Sequence, residues 1–142
     1  MGGINGKRWL LGGIAAGAVM LIVEGMASTL YEEGMLSALI AHNLTLPTGA
    51  RAYAAEVIGC LLTGLALAFF YAAARPRLGP GPKTAMTVAV VFWLGGVVPM
   101  LSGYELIELF PSRMIALWSV IGLLELTLGA LAGGWVYRES AG

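Results

Sequence analysis

Apolar residues run in four long blocks along this chain, Trp9–Tyr31, Ala52–Ala74, Thr84–Tyr104 and Arg113–Tyr137. Charge and proline collect mostly in the short stretches between and beside them. At a rise of about 1.5 Å per residue, each block crosses the roughly 30 Å hydrocarbon core of a bilayer as a single helix. The pattern predicts an all-α integral membrane protein, a four-helix bundle of two hairpins forming one domain over residues 1–142. The basic pair Lys7-Arg8 ahead of an apolar run is also the plan of a secretory signal. Signal cores are usually only about 7–15 residues long, so Trp9–Tyr31 is read as the first span.

The connections differ in character. Within Glu32–Gly49, the residues Met35, Leu36, Leu39 and Ile40 recur at helical spacing, which predicts a short interfacial helix between spans one and two. Ala74–Lys83 holds Pro76, Pro80 and Pro82 with Gly79 and Gly81. Proline lacks an N–H donor and constrains the residue before it, so this stretch is expected to be a stiff, solvated loop. Glu105–Pro111 is expected to be a tight outer turn. Gly95, Gly96 and Pro99 interrupt the third span, where Pro99 should kink the helix and free a carbonyl near Gly95.

Basic residues orient the chain. Lys7, Arg8, Arg75, Arg77, Lys83 and Arg138 fall at one end of the spans, and Arg51 and Arg113 at the other. The excess of basic residues in cytoplasmic loops places both termini and the proline stretch in the cytoplasm. Tyr31, Tyr53 and Tyr104 then fall at the outer interface and Tyr71 and Tyr137 at the inner one, as an aromatic belt would have them.

Composition narrows the function. Only 11% of residues are charged, against roughly 25% in soluble domains. Eight basic and eight acidic residues leave no net charge to draw a nucleic acid. One cysteine, Cys60, excludes a disulfide within the chain and a thiolate cluster, and one histidine, His42, excludes bis-histidine haem and most zinc sites. No cofactor and no metal are expected.

The two halves share short likenesses. Val57-Ile58-Gly59 matches Val120-Ile121-Gly122, and Leu46-Pro47-Thr48 matches Phe110-Pro111-Ser112 before the second and fourth spans. The likenesses read either as a parallel internal repeat or as chance similarity between apolar helices. The apolar-Pro-hydroxyl starts suit helix caps.

Glutamates carry the candidate chemistry. A carboxylate at the bilayer centre costs on the order of 2.5–3.5 kcal/mol, and Glu24 and Glu125 lie within spans that contain no basic partner at their depth. Glu24 follows Gly13 and Gly17 along one face, and Glu125 shares a face with Gly122, Gly129 and Gly133. Such small-residue faces let helix backbones approach, so both carboxyls should point at neighbouring helices. They serve either a proton, cation or polar ligand, or helix-to-helix hydrogen bonds. Glu56 shares a face with Gly59, Cys60 and Thr63 and is expected to pair with Arg51 or Arg113. Glu32, Glu33, Glu105 and Glu108 form an acidic outer rim. Met20, Met26, Met100 and Trp93 read as packing, with soft ligation or a cavity lining as the alternatives.

The segment from Tyr71 to Ala85, YAAARPRLGPGPKTA, resembles a family of small four-helix bacterial membrane proteins of uncharacterised activity, and the ending Ala132–Glu139 is similar to theirs. The resemblance implies four spans and a bacterial inner membrane, with no activity to carry over. The function expected first is non-enzymatic: packing against itself, as a homo-oligomer, or against other membrane subunits as an accessory part of a larger complex, among membrane lipids. The alternative is a small proton- or cation-linked carrier or channel using Glu24, Glu125 and Glu56. An enzyme acting on a lipid or quinone ranks third.

Overall fold

A computed structural model of the chain describes residues 4–137. Arg138 and Glu139, used above in the orientation and the family resemblance, lie outside the described residues. The described chain is helical without strands: α1 (Gly6–Ala27), α2 (Glu32–Ala41), α3 (Ala50–Leu78), α4 (Pro82–Phe92), α5 (Val98–Leu106) and α6 (Ser112–Val136). A short 3-10 turn at Ser28–Leu30 extends α1, and a π turn at Trp93–Val97 joins α4 to α5. Four stretches are long and apolar enough to cross a membrane: Gly6–Leu30, Ala50–Leu78, Pro82–Leu106 and Ser112–Val136.

Local chemistry explains most of the boundaries. Asn5 caps α1, its side-chain oxygen accepting the Arg8 N–H at 3.1 Å. Glu32 and Glu33 occupy the first turn of α2, where the helix dipole favours negative charge. The expected hydroxyl caps do not form. Gly49 precedes α3 and Pro111 precedes α6, neither with a side-chain cap, and Ser112 Oγ instead donates to Glu105 at 2.6 Å.

The proline stretch departs from expectation. α3 continues through Pro76 to Leu78, and only Gly79–Gly81 turn the chain. Pro76 lies in the last turn, so its missing N–H costs a single bond at the helix end. Gly79 and Gly81 take the left-handed φ values of 82° and 117° that the reversal needs, and Pro82 opens α4 where no N–H is required. The turn is pinned as well. Gly79 N–H donates to Arg75 O at 2.9 Å, Thr84 Oγ1 to Gly79 O at 2.6 Å, and Gly81 N–H to the Tyr71 hydroxyl at 3.0 Å.

α1 is the central helix, packed most closely on α3 and α6, while α4 lies against α6 and α3. Glycines set these approaches. A Cβ on Gly13 would sit 2.7 Å from Leu65 Cα, and one on Gly17 would sit 2.8 Å from Cys60 O. A Cβ on Gly64 would strike the backbone of Gly13 and Gly17. A Cβ on Gly133 would sit 3.0 Å from Gly12 O, one on Gly129 would sit 2.9 Å from Met20 and one on Gly122 would sit 3.1 Å from Val97. Gly59 departs from its expected packing role: a Cβ there meets nothing within 4 Å, because that face of α3 points away from the other helices.

The tyrosine belt also needs correction. Tyr31, Tyr71 and Tyr137 are buried, each with its hydroxyl hydrogen-bonded inside the protein. A buried phenol needs such a partner, so these rings stitch segment ends together and do not face lipid. The indoles of Trp9 and Trp93 act similarly, donating to Leu65 O at 2.8 Å and Ser119 O at 2.9 Å.

Gly64→Ala should separate α1 from α3 and lower unfolding free energy in detergent by about 1–3 kcal/mol, as overpacking does. Gly59→Ala, facing open space, should change it by no more than about 0.5 kcal/mol in the same SDS titration.

Candidate functional site

Glu24 lies in the last turn of α1, and Tyr31 stands seven residues on, beyond the 3-10 turn. Two helical turns bring position i+7 back to the same face, and the Tyr31 hydroxyl donates to Glu24 Oε1. The phenol ring is only 8% exposed and meets Trp118 edge-on, with centroids 5.5 Å apart. Ala27, Ile121, Met35 and Leu117 complete its surroundings.

Glu125 reaches the same place from α6. The pairing of Gly12 with Gly133 and of Met20 with Gly129 shows that α1 and α6 run antiparallel. The register that sets Met20 against Gly129 puts Glu24, one turn further along α1, level with Glu125, one turn earlier in α6. They come within side-chain hydrogen-bonding reach of each other, and Glu125 Oε1 is buried without a hydrogen-bond partner.

Glu56 stands at the edge of this pair. It is exposed on α3, yet close enough for its charge to act on Tyr31, Cys60 and Glu125. The expected ion pair with Arg51 or Arg113 does not form among the described residues. Five residues separate Glu56 from Arg51, which turns the two side chains about 140° apart on the helix. Cys60 is half-buried and packs against the central cluster containing Met20 and Leu126.

Two ionised carboxylates in contact repel, and among the described residues no cationic side chain neutralises this pair. A proton shared between Glu24 and Glu125, or a small cation between them, converts the repulsion into a bond. Tyr31 adds a hydroxyl that accepts and donates in the same chain of groups. On its outer side, Tyr31 borders a cleft of about 710 Å³ that Leu30, Ser37, Arg113 and Leu117 also line. The sequence of groups from the cleft inward is thus Tyr31, Glu24, Glu125.

Other candidates lie apart. Met26 and Met100 are exposed on the outside of the helices, whereas Met20 fills the space over Gly129. His42 is exposed at the end of α2, beside a second cleft that Glu105 and Glu108 share. Among the described residues, no three His, Cys, Asp or Glu side chains are placed to hold a metal ion. At Pro99, which has no N–H for the Gly95 carbonyl, the helix widens: Val98 N–H reaches back five residues to Trp93 O. Within this site, Tyr31 is the residue that sequence reasoning misplaced, and its i+7 spacing from Glu24 was the available signal.

The class that this fold defines is an all-helical chain with four helices long and apolar enough to cross a membrane. No family model, curated protein or solved structure matches the chain, so the resemblance of the Tyr71–Ala85 segment gains no support from these comparisons.

The carboxyl pair has a spectroscopic signature. Infrared difference spectra of the purified protein between low and high pH should contain a carboxyl C=O band from the pair. Glu24→Gln and Glu125→Gln should each remove it, and Tyr31→Phe should shift it.

Proposed function

We propose that the protein is a proton-linked carrier of the bacterial inner membrane, a non-enzymatic four-helix bundle whose Glu24–Glu125 pair takes up and releases a proton from the outer side. The observation that carries this reading is the convergence of two intramembrane carboxyls from antiparallel helices, joined through Tyr31 to an outer cleft. Helix glue needs one carboxyl and a dedicated donor, whereas Glu125 meets a second carboxyl, Glu24, and its Oε1 is left without a hydrogen-bond partner. Glu56, exposed at the edge of the pair, adds negative charge that favours an incoming cation.

Four helices so closely packed leave little interior space, which favours a pathway completed by a second copy. The open glycines Gly59, Gly95, Gly96 and Gly103 on the outer surface of α3 and the third span support close approach of another membrane helix. The same observation favours the second reading, an accessory subunit acting through packing alone. The two hairpins, α1 with α3 and the third span with α6, are read as parallel repeats with α2 inserted in the first.

Proteoliposomes distinguish these readings. Wild-type protein should carry a pH-gradient-driven proton flux that Glu24→Gln or Glu125→Gln abolishes, with thermal stability changed little. Glutamine keeps the shape and hydrogen bonds of a protonated carboxyl but cannot titrate. Absence of wild-type flux, or flux that survives both changes, would leave the packing subunit as the better account.

Orientation is tested separately. Lys7, Arg8, Arg75, Arg77 and Lys83 favour a cytoplasmic location for the end that carries the Gly79–Gly81 turn. In a Cys60→Ala background, Arg77→Cys should resist an impermeant thiol reagent in intact cells while Ser37→Cys reacts. The reverse pattern would invert the topology.

A further inference from the structure

The end of the protein opposite the carboxyl pair carries a different kind of cavity. About 460 Å³ in volume, it lies between the Gly79–Gly81 turn and the last turns of α6. Pro80, Pro82, Leu131 and Trp135 give it apolar walls, and Arg75 provides its basic group. The Arg75 guanidinium is held over the Tyr137 ring, 5.9 Å from the ring centroid, and Tyr137 in turn meets Tyr71 edge-on at 6.2 Å. Tyr71 fixes the turn through Gly81, so the cavity's shape is built by the same bonds that reverse the chain.

Among the described residues, charge at this end is of one sign. Lys7, Arg8, Arg75, Arg77 and Lys83 gather there, while every described glutamate (24, 32, 33, 56, 105, 108 and 125) belongs to the middle or the opposite end of the spans. The N-terminus of α4 opens at the cavity through Pro82 and adds the positive end of a helix dipole. Trp135, 71% exposed at the rim, presents an amphipathic ring of the kind that settles at a membrane–water boundary.

We infer that this cavity binds one anionic phospholipid, with the phosphate at Arg75 and the start of an acyl chain along Leu131 and Trp135. Charge complementarity selects the anion, and the apolar walls select a lipid over free phosphate, which has no use for them. Basic pockets between spans bind lipid headgroups on this principle. The site is independent of the Glu24–Glu125 pair.

Native mass spectrometry of the full chain, released from detergent with equal phosphatidylglycerol and phosphatidylcholine, tests the inference. Phosphatidylglycerol should be retained preferentially at one copy per chain. Arg75→Gln should weaken its retention about tenfold, the scale of one charge-assisted hydrogen bond. Arg77→Gln, exposed and outside the cavity, should stay within about twofold of wild type, since surface charge contributes little. Equal retention of both lipids, wild-type retention by Arg75→Gln, or equal loss in both variants would overturn the site. Displacement of the lipid by millimolar inorganic phosphate would overturn the lipid as occupant. If Arg75→Gln does not fold, wild-type tryptophan fluorescence decides: brominated phosphatidylglycerol at low mole fraction should quench several-fold more than brominated phosphatidylcholine, and equal quenching sinks the inference.

Discussion

Backbone-to-backbone approach along α1 is the constraint on which the other features rest. Gly13 and Gly17 admit α3, Gly12 and Gly133 admit α6, and Gly64 completes the first contact from the other side. Lipid is as apolar as a leucine side chain, so helices in a bilayer gain nothing by hiding apolar surface from it. What holds them is dense van der Waals contact, and that is available only where the side chains are small. The antiparallel register set by the glycines on α1 and α6 also brings Glu24 and Glu125 together. The carboxyl pair is first of all a consequence of packing.

Polar side chains then fix what the glycines bring close. The Trp9 and Trp93 indoles each donate to a carbonyl of a neighbouring span, Leu65 O and Ser119 O. Tyr71 and Tyr137 accept backbone N–H groups from Gly81 and Asn5 at the basic end. Each of these bonds spares a buried donor or acceptor from going unpaired in an apolar medium, where that cost is highest. The rings also interlock: Phe110 meets both Tyr104 and Trp118, which links the outer turn to the floor beside Tyr31.

Spans and connections were legible in the sequence because they depend on local properties. An apolar block of sufficient length, a Gly-Pro-Gly turn and a helical recurrence of Met35 and Leu39 need no knowledge of neighbours. What depends on neighbours was read less well. Pro76 looked like a helix breaker and proved harmless in a last turn, where only one bond is lost. Gly59 looked like a packing residue beside its twin Gly122, yet only Gly122 faces another helix. Tyr71 and Tyr137 stood at the right depth for a belt, but depth does not reveal which way a ring turns. Glu24 and Glu125 were identifiable as costly residues, whereas their contact follows from the pairing of α1 with α6, which no single helix encodes.

The π turn at Trp93–Val97 has one more consequence. A wide turn takes an additional residue without adding a full step of rotation, so it shifts the angular phase of everything beyond it. In the third span, the positions that face inward before the turn (Ala85, Val88, Ala89) and after it (Leu101) belong to two different stripes of the sequence. Each half of the span therefore keeps its own phase, and a helix-wheel projection drawn through the whole span would misassign one of them. Removing one glycine at Gly95 or Gly96 would let the turn close to an ordinary α-helical one and leave Leu101 facing as it does now, whereas tightening the turn to α geometry with every residue kept would swing Leu101 by about 100°. In that second case the span would remain long enough to cross, yet the half beyond the turn would offer the wrong face to α6.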